Sequence, residues 1–142
     1  MTRTAHRIAR LGIAGSVALL VAMPALSASR PDQSVQGWSA MQGIDPATLL
    51  SQVQTMPLSE QAIDDQPYCA SDAEIAQTLT QDFDEEPVNV AGAGGTELWG
   101  SDLMGTWTLV AARPDETSCI IASGIGYSDE KSAEAFYTVA GL

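Results

Sequence analysis

Histidine is almost missing from this sequence: the only one in 142 residues is His6. Beyond residue 27 there is none. That excludes Ser-His-Asp and Cys-His catalysis, His-based zinc sites and His-ligated haem for the rest of the chain. Basic residues are nearly as scarce. Three of the six (Arg3, Arg7 and Arg10) sit at the extreme N-terminus, leaving Arg30, Arg113 and Lys131 against all 18 acids, a formal charge of −15 for residues 28–142. Nucleic-acid binding needs clustered Lys and Arg, so no nucleic-acid partner is expected. Cationic partners are the electrostatic match: a basic envelope protein, divalent cations or polyamines. The plainer reading is a solvated, soluble surface.

The N-terminus holds the three parts of a secretory signal in order. Arg3, Arg7 and Arg10 form a positive segment, and Leu11 to Met23 an apolar one. The apolar length suits a signal better than a bilayer span. Pro24 breaks the helix, and Ala25 and Ser27 put small residues at −3 and −1. Cleavage after Ser27 is expected, making residues 1–27 a signal peptide; cleavage after Ala28 would place Leu26 at −3. An uncleaved anchor from Leu11 to Ala28 is the competing reading, opposed by Pro24, two glycines and the small-residue exit. There is no Arg-Arg pair, and no cysteine follows for a lipid anchor. The expected location is periplasmic or secreted, with no stable membrane span after cleavage.

The remaining 115 residues, 28–142, amount to one domain. Residues 28–67 read as a polar, partly ordered arm. Within it Asp45-Pro46 suggests an N-cap with proline at N1, Leu49, Leu50 and Val53 a short apolar stripe, and Ser59 a further cap. The compact part, 68–142, begins near Tyr68. Ser71-Asp72-Ala73-Glu74 is a capping box, followed by Ile75, Ala76, Leu79 and Phe83 at helical spacing, so a helix is expected from about Asp72 to Phe83. Pro87 prevents it continuing far. The pattern then becomes β: Val88 and Val90, a turn at 91–95, strands at 96–100 and 106–111, a type I turn at Arg113-Pro114-Asp115-Glu116, and a last strand at 118–123. Trp107, Leu109 and Ala111 share one strand face. The expected fold is α+β: an antiparallel meander of three or four strands packed on one N-terminal helix, with Ile75, Leu79 and Phe83 against Trp107 and Leu109. Ser128 can cap a short closing helix carrying Ala133, Phe136, Tyr137 and Ala140.

Cys69 and Cys119 are the only cysteines. In an exported chain they read as a disulfide. It would close a 50-residue span, which the chain-entropy model values at roughly 4 kcal/mol before strain. A redox or metal pair is the alternative, but there is no C-x-x-C and no other soft ligand.

Other clusters have plain explanations. Gly92 to Gly95 lacks the lysine of a phosphate loop and reads as a hairpin turn. Asp82, Asp84, Glu85 and Glu86 are the only calcium candidate, without EF-hand spacing, and a charge run is usually a solvated face. Ser128-Asp129-Glu130-Lys131 matches the S-x-x-K motif of penicillin-recognising enzymes, whose other elements are missing. Paired carboxylates could hydrolyse glycosides, with Trp38, Trp99 or Trp107 stacking on sugar, but in so acidic a chain such pairs carry no information. No cofactor is expected.

From Cys69 to Tyr127 the chain resembles a group of small exported bacterial proteins of unassigned function. The shared features are a cysteine before a helix, Glu86-Pro87, Gly105-Thr106-Trp107-Thr108-Leu109, Cys119, and Ala122-Ser123-Gly124. Ser123-Gly124-Ile125-Gly126-Tyr127 is also similar to the Ser-Gly-x-x-Tyr motif of periplasmic C-type lysozyme inhibitors, with Lys131 downstream where such inhibitors use a lysine. That resemblance implies a β-barrel with more strands than the sequence displays, and a basic lysozyme as partner. Ser123, Gly124, Tyr127, Lys131 and Trp99 are the candidate partner-binding residues. The leading expectation is a non-catalytic envelope domain that binds or structurally accompanies a protein. A lysozyme inhibitor is second and a carboxylate-dependent hydrolase third.

Overall fold

In the computed structural model, residues 31–142 are described, the side chains of residues 89–91 excepted. The expected signal segment and its cleavage site lie outside the described residues. Chain order is β1 (Gln36–Ser39), α1 (Pro46–Val53), β2 (Tyr68–Ser71), α2 (Asp72–Phe83), β3 (Glu86–Ala91), β4 (Thr96–Ser101), β5 (Thr106–Ala112), β6 (Thr117–Ile125) and α3 (Ala133–Ala140). The α+β class is as expected. The numbers differ: the described residues hold six strands and three helices, where the sequence predicts three or four strands, one N-terminal helix and a possible short C-terminal helix. No helix among them is long and apolar enough to cross a membrane.

Local chemistry explains where the helices begin. The Asp45 carboxylate accepts from Thr48 N–H at 3.0 Å, and Pro46 opens α1, where its missing N–H is no loss. Ser71 Oγ accepts from Glu74 N–H at 3.2 Å and starts α2. The Glu74 carboxylate accepts from the Tyr68 hydroxyl at 2.7 Å, which lifts the phenol's pKa. Asp84 ends α2 in the left-handed conformation, φ 53°. Two expected caps fall elsewhere. Ser59 exchanges bonds with Cys69: its N–H donates to Cys69 O at 2.8 Å and its Oγ accepts from Cys69 N–H at 3.0 Å. Ser128 is buried in a turn, and Ser132 stands at the N-cap of α3.

The strands form one antiparallel sheet. The meander β3-β4-β5-β6 follows chain order, and the far edge of β6 is covered end to end by two short strands. Gln36–Ser39 pairs with Ile125–Ala122, and Tyr68–Ser71 with Ile120–Thr117. Between them lies Ile121, which the β5–β6 register skips: Leu109 pairs with Ala122 and Val110 with Ile120. This bulge turns both Ile121 and Ala122 into the core. Its carbonyl accepts from Ala40 N–H at 2.8 Å, closing the gap between the two short strands. The sheet stays open, with β3 at its other edge, so the described residues form no barrel.

Helices cover both faces. Met41, Leu49, Val53, Leu98, Trp107, Leu109, Ile121 and Phe136 belong to the larger core, which α1 and α3 cover. Ile75 and Leu79 of α2 form a smaller one with Ala70 and Val110. Alternate strand residues point to opposite faces, so α2 and Trp107 lie on opposite sides of the sheet. This corrects the expected packing of α2 on Trp107 and Leu109, and Phe83 is left 43 % exposed. The segment expected to be an arm supplies β1, α1 and three residues of the larger core, so the core begins well before Tyr68.

Cys69 stands directly opposite Cys119 in the β2–β6 pairing, and the two form a disulfide. Beside it, Ser118 Oγ bonds the Asp72 carboxylate, tying the start of α2 to β6.

Candidate functional site

The charged groups divide unevenly between surface and interior. Glu85 alone among the 18 acids is buried, 1 % exposed; every other is solvent-exposed. The two basic side chains among the described residues are both committed to backbone carbonyls. One guanidinium nitrogen of Arg113 donates to Val53 O at 3.3 Å and Met56 O at 2.8 Å, at the C-terminal end of α1, where a cation offsets the helix dipole. Its other nitrogen pairs with Asp115 at 3.3 Å. Lys131 Nζ donates to Gln33 O at 2.6 Å and Gly126 O at 2.7 Å. The surface therefore presents acids while its two described cations serve the fold.

The local fold explains why Glu85 is inside. The left-handed turn at Asp84 reverses the chain, and Glu85 N–H bonds back to Leu79 O at 2.9 Å. The side chain then enters a groove of about 230 Å³ between the end of α2 and strands β5 and β6. Leu79, Phe83, Ile120 and Ile125 make its apolar walls, and Thr106, Thr108 and Ser123 add hydroxyls. Burial drives the Glu85 carboxyl above its ordinary pKa of 4.5, while the nearby Thr108 and Thr106 hydroxyls act in the opposite sense. Those hydroxyls are close enough to soften the charge, yet Glu85 Oε2 and Thr106 Oγ1 are both buried with no hydrogen-bond partner among the described residues.

Sheet register places two tryptophans on the same face. Trp99 pairs with Thr108, Thr108 with Ser123, and Ser123 with Trp38. Ser123 also borders a second hollow of about 410 Å³, walled by Trp38, Ile63 and the exposed Asp64 and Asp65. One face of the sheet thus carries an apolar groove with one buried carboxylate and, across Ser123, a hollow with an acidic rim.

The five candidate partner-binding residues do not converge. Ser123 and Gly124 line the groove. Gly124 also permits the close approach of β1, because a side chain there would collide with the Gln36 carbonyl. Trp99 is half-buried against the smaller core, its indole N–H buried without a partner among the described residues. Tyr127 lies in the larger core across the sheet, its ring centroid 5.3 Å from that of Phe136. Burial, then Asp129, Asp102 and Glu85, raise its pKa. Lys131 is held by the two carbonyls. The Ser-Gly-x-x-Tyr stretch is therefore split between the two faces.

The calcium candidate divides similarly. Asp82, Asp84 and Glu86 are exposed while Glu85 is buried. No group of three or more acids, cysteines or histidines among the described residues could hold a metal ion. Sequence reasoning missed the groove's central residue as a single site. Its available signal was one acid following an apolar helix stripe, placed just where that helix must reverse. No protein family, curated protein or solved structure matches the chain.

Proposed function

We propose that this chain is an exported, non-catalytic domain that binds a basic protein partner through the face of the sheet covered by α2. The uneven division of charge carries the reading: the acids are displayed at the surface, both described cations are used internally, and the one buried acid opens into a groove on that face. A disulfide-tied fold suits an oxidising compartment, which supports a periplasmic or secreted location. Binding is favoured over hydrolysis because the described lining of the groove carries a single carboxylate, whereas glycoside hydrolysis uses two.

Titration calorimetry of the full chain with an oligolysine peptide tests this reading. Binding is expected at ~0.05 M salt and should weaken steeply by ~0.5 M, as screening shortens the reach of surface charge. An absence of binding at the lower salt overturns it. A C-type lysozyme in the same cell examines the inhibitor reading: binding that leaves the lysozyme fully active would separate basic-protein recognition from inhibition.

A further inference from the structure

We infer that the groove between α2 and strands β5 and β6 is a receptor for an alkylammonium group, and that its occupant is a lysine side chain of the basic partner. This rests on, and deepens, the reading of the chain as a binder of basic proteins. The walls contributed by Leu79, Phe83, Ile120 and Ile125 match an aliphatic stem. At the buried end stand Glu85 Oε2 and Thr106 Oγ1, both unpartnered among the described residues, with the Thr108 hydroxyl close by. An ammonium group has three donors and no acceptor. Two open oxygens and a neighbouring hydroxyl can take them.

Charge supports the same occupant. A buried carboxylate without a counter-ion is unfavourable, and a cation brought into contact relieves it. Arg113 and Lys131 are both bonded elsewhere, so the described chain leaves that position open. The neighbouring hollow across Ser123 is acidic, with the exposed Asp64 and Asp65 beside Trp38, which favours a positive segment near the groove. A lysine carries a compact charge on a flexible stem and fits a narrow apolar groove with one carboxylate; a guanidinium would bring five donors to too few acceptors.

The test uses the full chain and butylammonium as probe, followed by NMR on the Thr106, Ser123 and Ile125 signals. Saturable shifts are expected, with n-butanol giving none of comparable size. Glu85→Gln preserves shape and removes the charge, and should weaken butylammonium at least ~10-fold. Phe83→Ala, at an exposed wall position, should weaken it several-fold and leaves the fold intact. A lysine-containing peptide should shift the same signals, and its acetylated form should not. No saturable shift with butylammonium, or equal affinity in Glu85→Gln, overturns the site. Peptide binding that ignores Glu85→Gln overturns the site while the basic-partner reading stands. Butylammonium binding with no peptide binding overturns the partner reading and gives the site to free amines.

Discussion

The two faces of the sheet are finished to different degrees. On the side of α1 and α3, Trp107, Phe136 and Tyr127 interlock, with ring centroids 5.7 Å apart for Trp107–Phe136, and Trp107 Nε1 donates to Ile125 O at 3.1 Å. On the side of α2 the buried cluster is smaller, Phe83 and Ile125 remain exposed, and a buried carboxylate with one oxygen lacking a partner among the described residues lies beneath them. A fold that only had to persist would gain from an apolar residue at position 85. The difference leaves holding the domain together chiefly to the first face, and it is the second to which the proposed recognition belongs.

Phe136→Ala strikes the closed face and should have the largest effect. Removing this fully buried ring is expected to cost about 3–5 kcal/mol in urea unfolding. A loss as small as that of an exposed residue would dissolve the distinction between the faces. Replacing both cysteines by serine comes next, at up to about 4 kcal/mol for the 50-residue separation. The same substitution should let β2 part from β6, seen as faster amide exchange at Ala70 and Ser71.

Glu85→Gln sharpens the comparison, because its sign is opposite. Burial raises the folded-state pKa above 4.5, so the folded chain holds the proton over a range where the unfolded chain has lost it. Stability of the native protein therefore falls as pH rises from about 4.5 through the raised folded value. The glutamine variant lacks that fall. At pH ~7 it should be more stable by about 1–3 kcal/mol, and the gain should shrink below the ordinary carboxyl range. Paired urea melts across this pH range check it. The smallest effect is expected from Phe83→Ala, about 1 kcal/mol or less, because the ring is already part-exposed.

Much of the fold is legible wherever one face of an element sets a pattern. Ile75 and Leu79 mark α2, the alternation from Thr106 to Ala111 marks β5, and Asp45-Pro46 marks α1. The strands β1 and β2 are not legible, because four residues paired on one edge of β6 leave no period to read. Nor does alternation say which layer covers which face: α2 was expected against Trp107 and Leu109 and covers Val110 instead. Export and the partner rest on charge and on the N-terminal pattern. The groove is hidden in the sequence because it joins Phe83 and Glu85 to residues of β5 and β6 across a sheet. Ser123 and Gly124, singled out by a motif resemblance, do border it; Tyr127 and Lys131 take up structural positions.

The most direct measurement is an NMR map of the full chain titrated with an oligolysine peptide. Specific recognition on the α2 face predicts saturable shifts at Phe83, Thr106, Ser123 and Ile125, with the signals of Phe136 and Ala140 unmoved. Shifts spread evenly over the exposed acids, or centred on the α1 and α3 side, would contradict it.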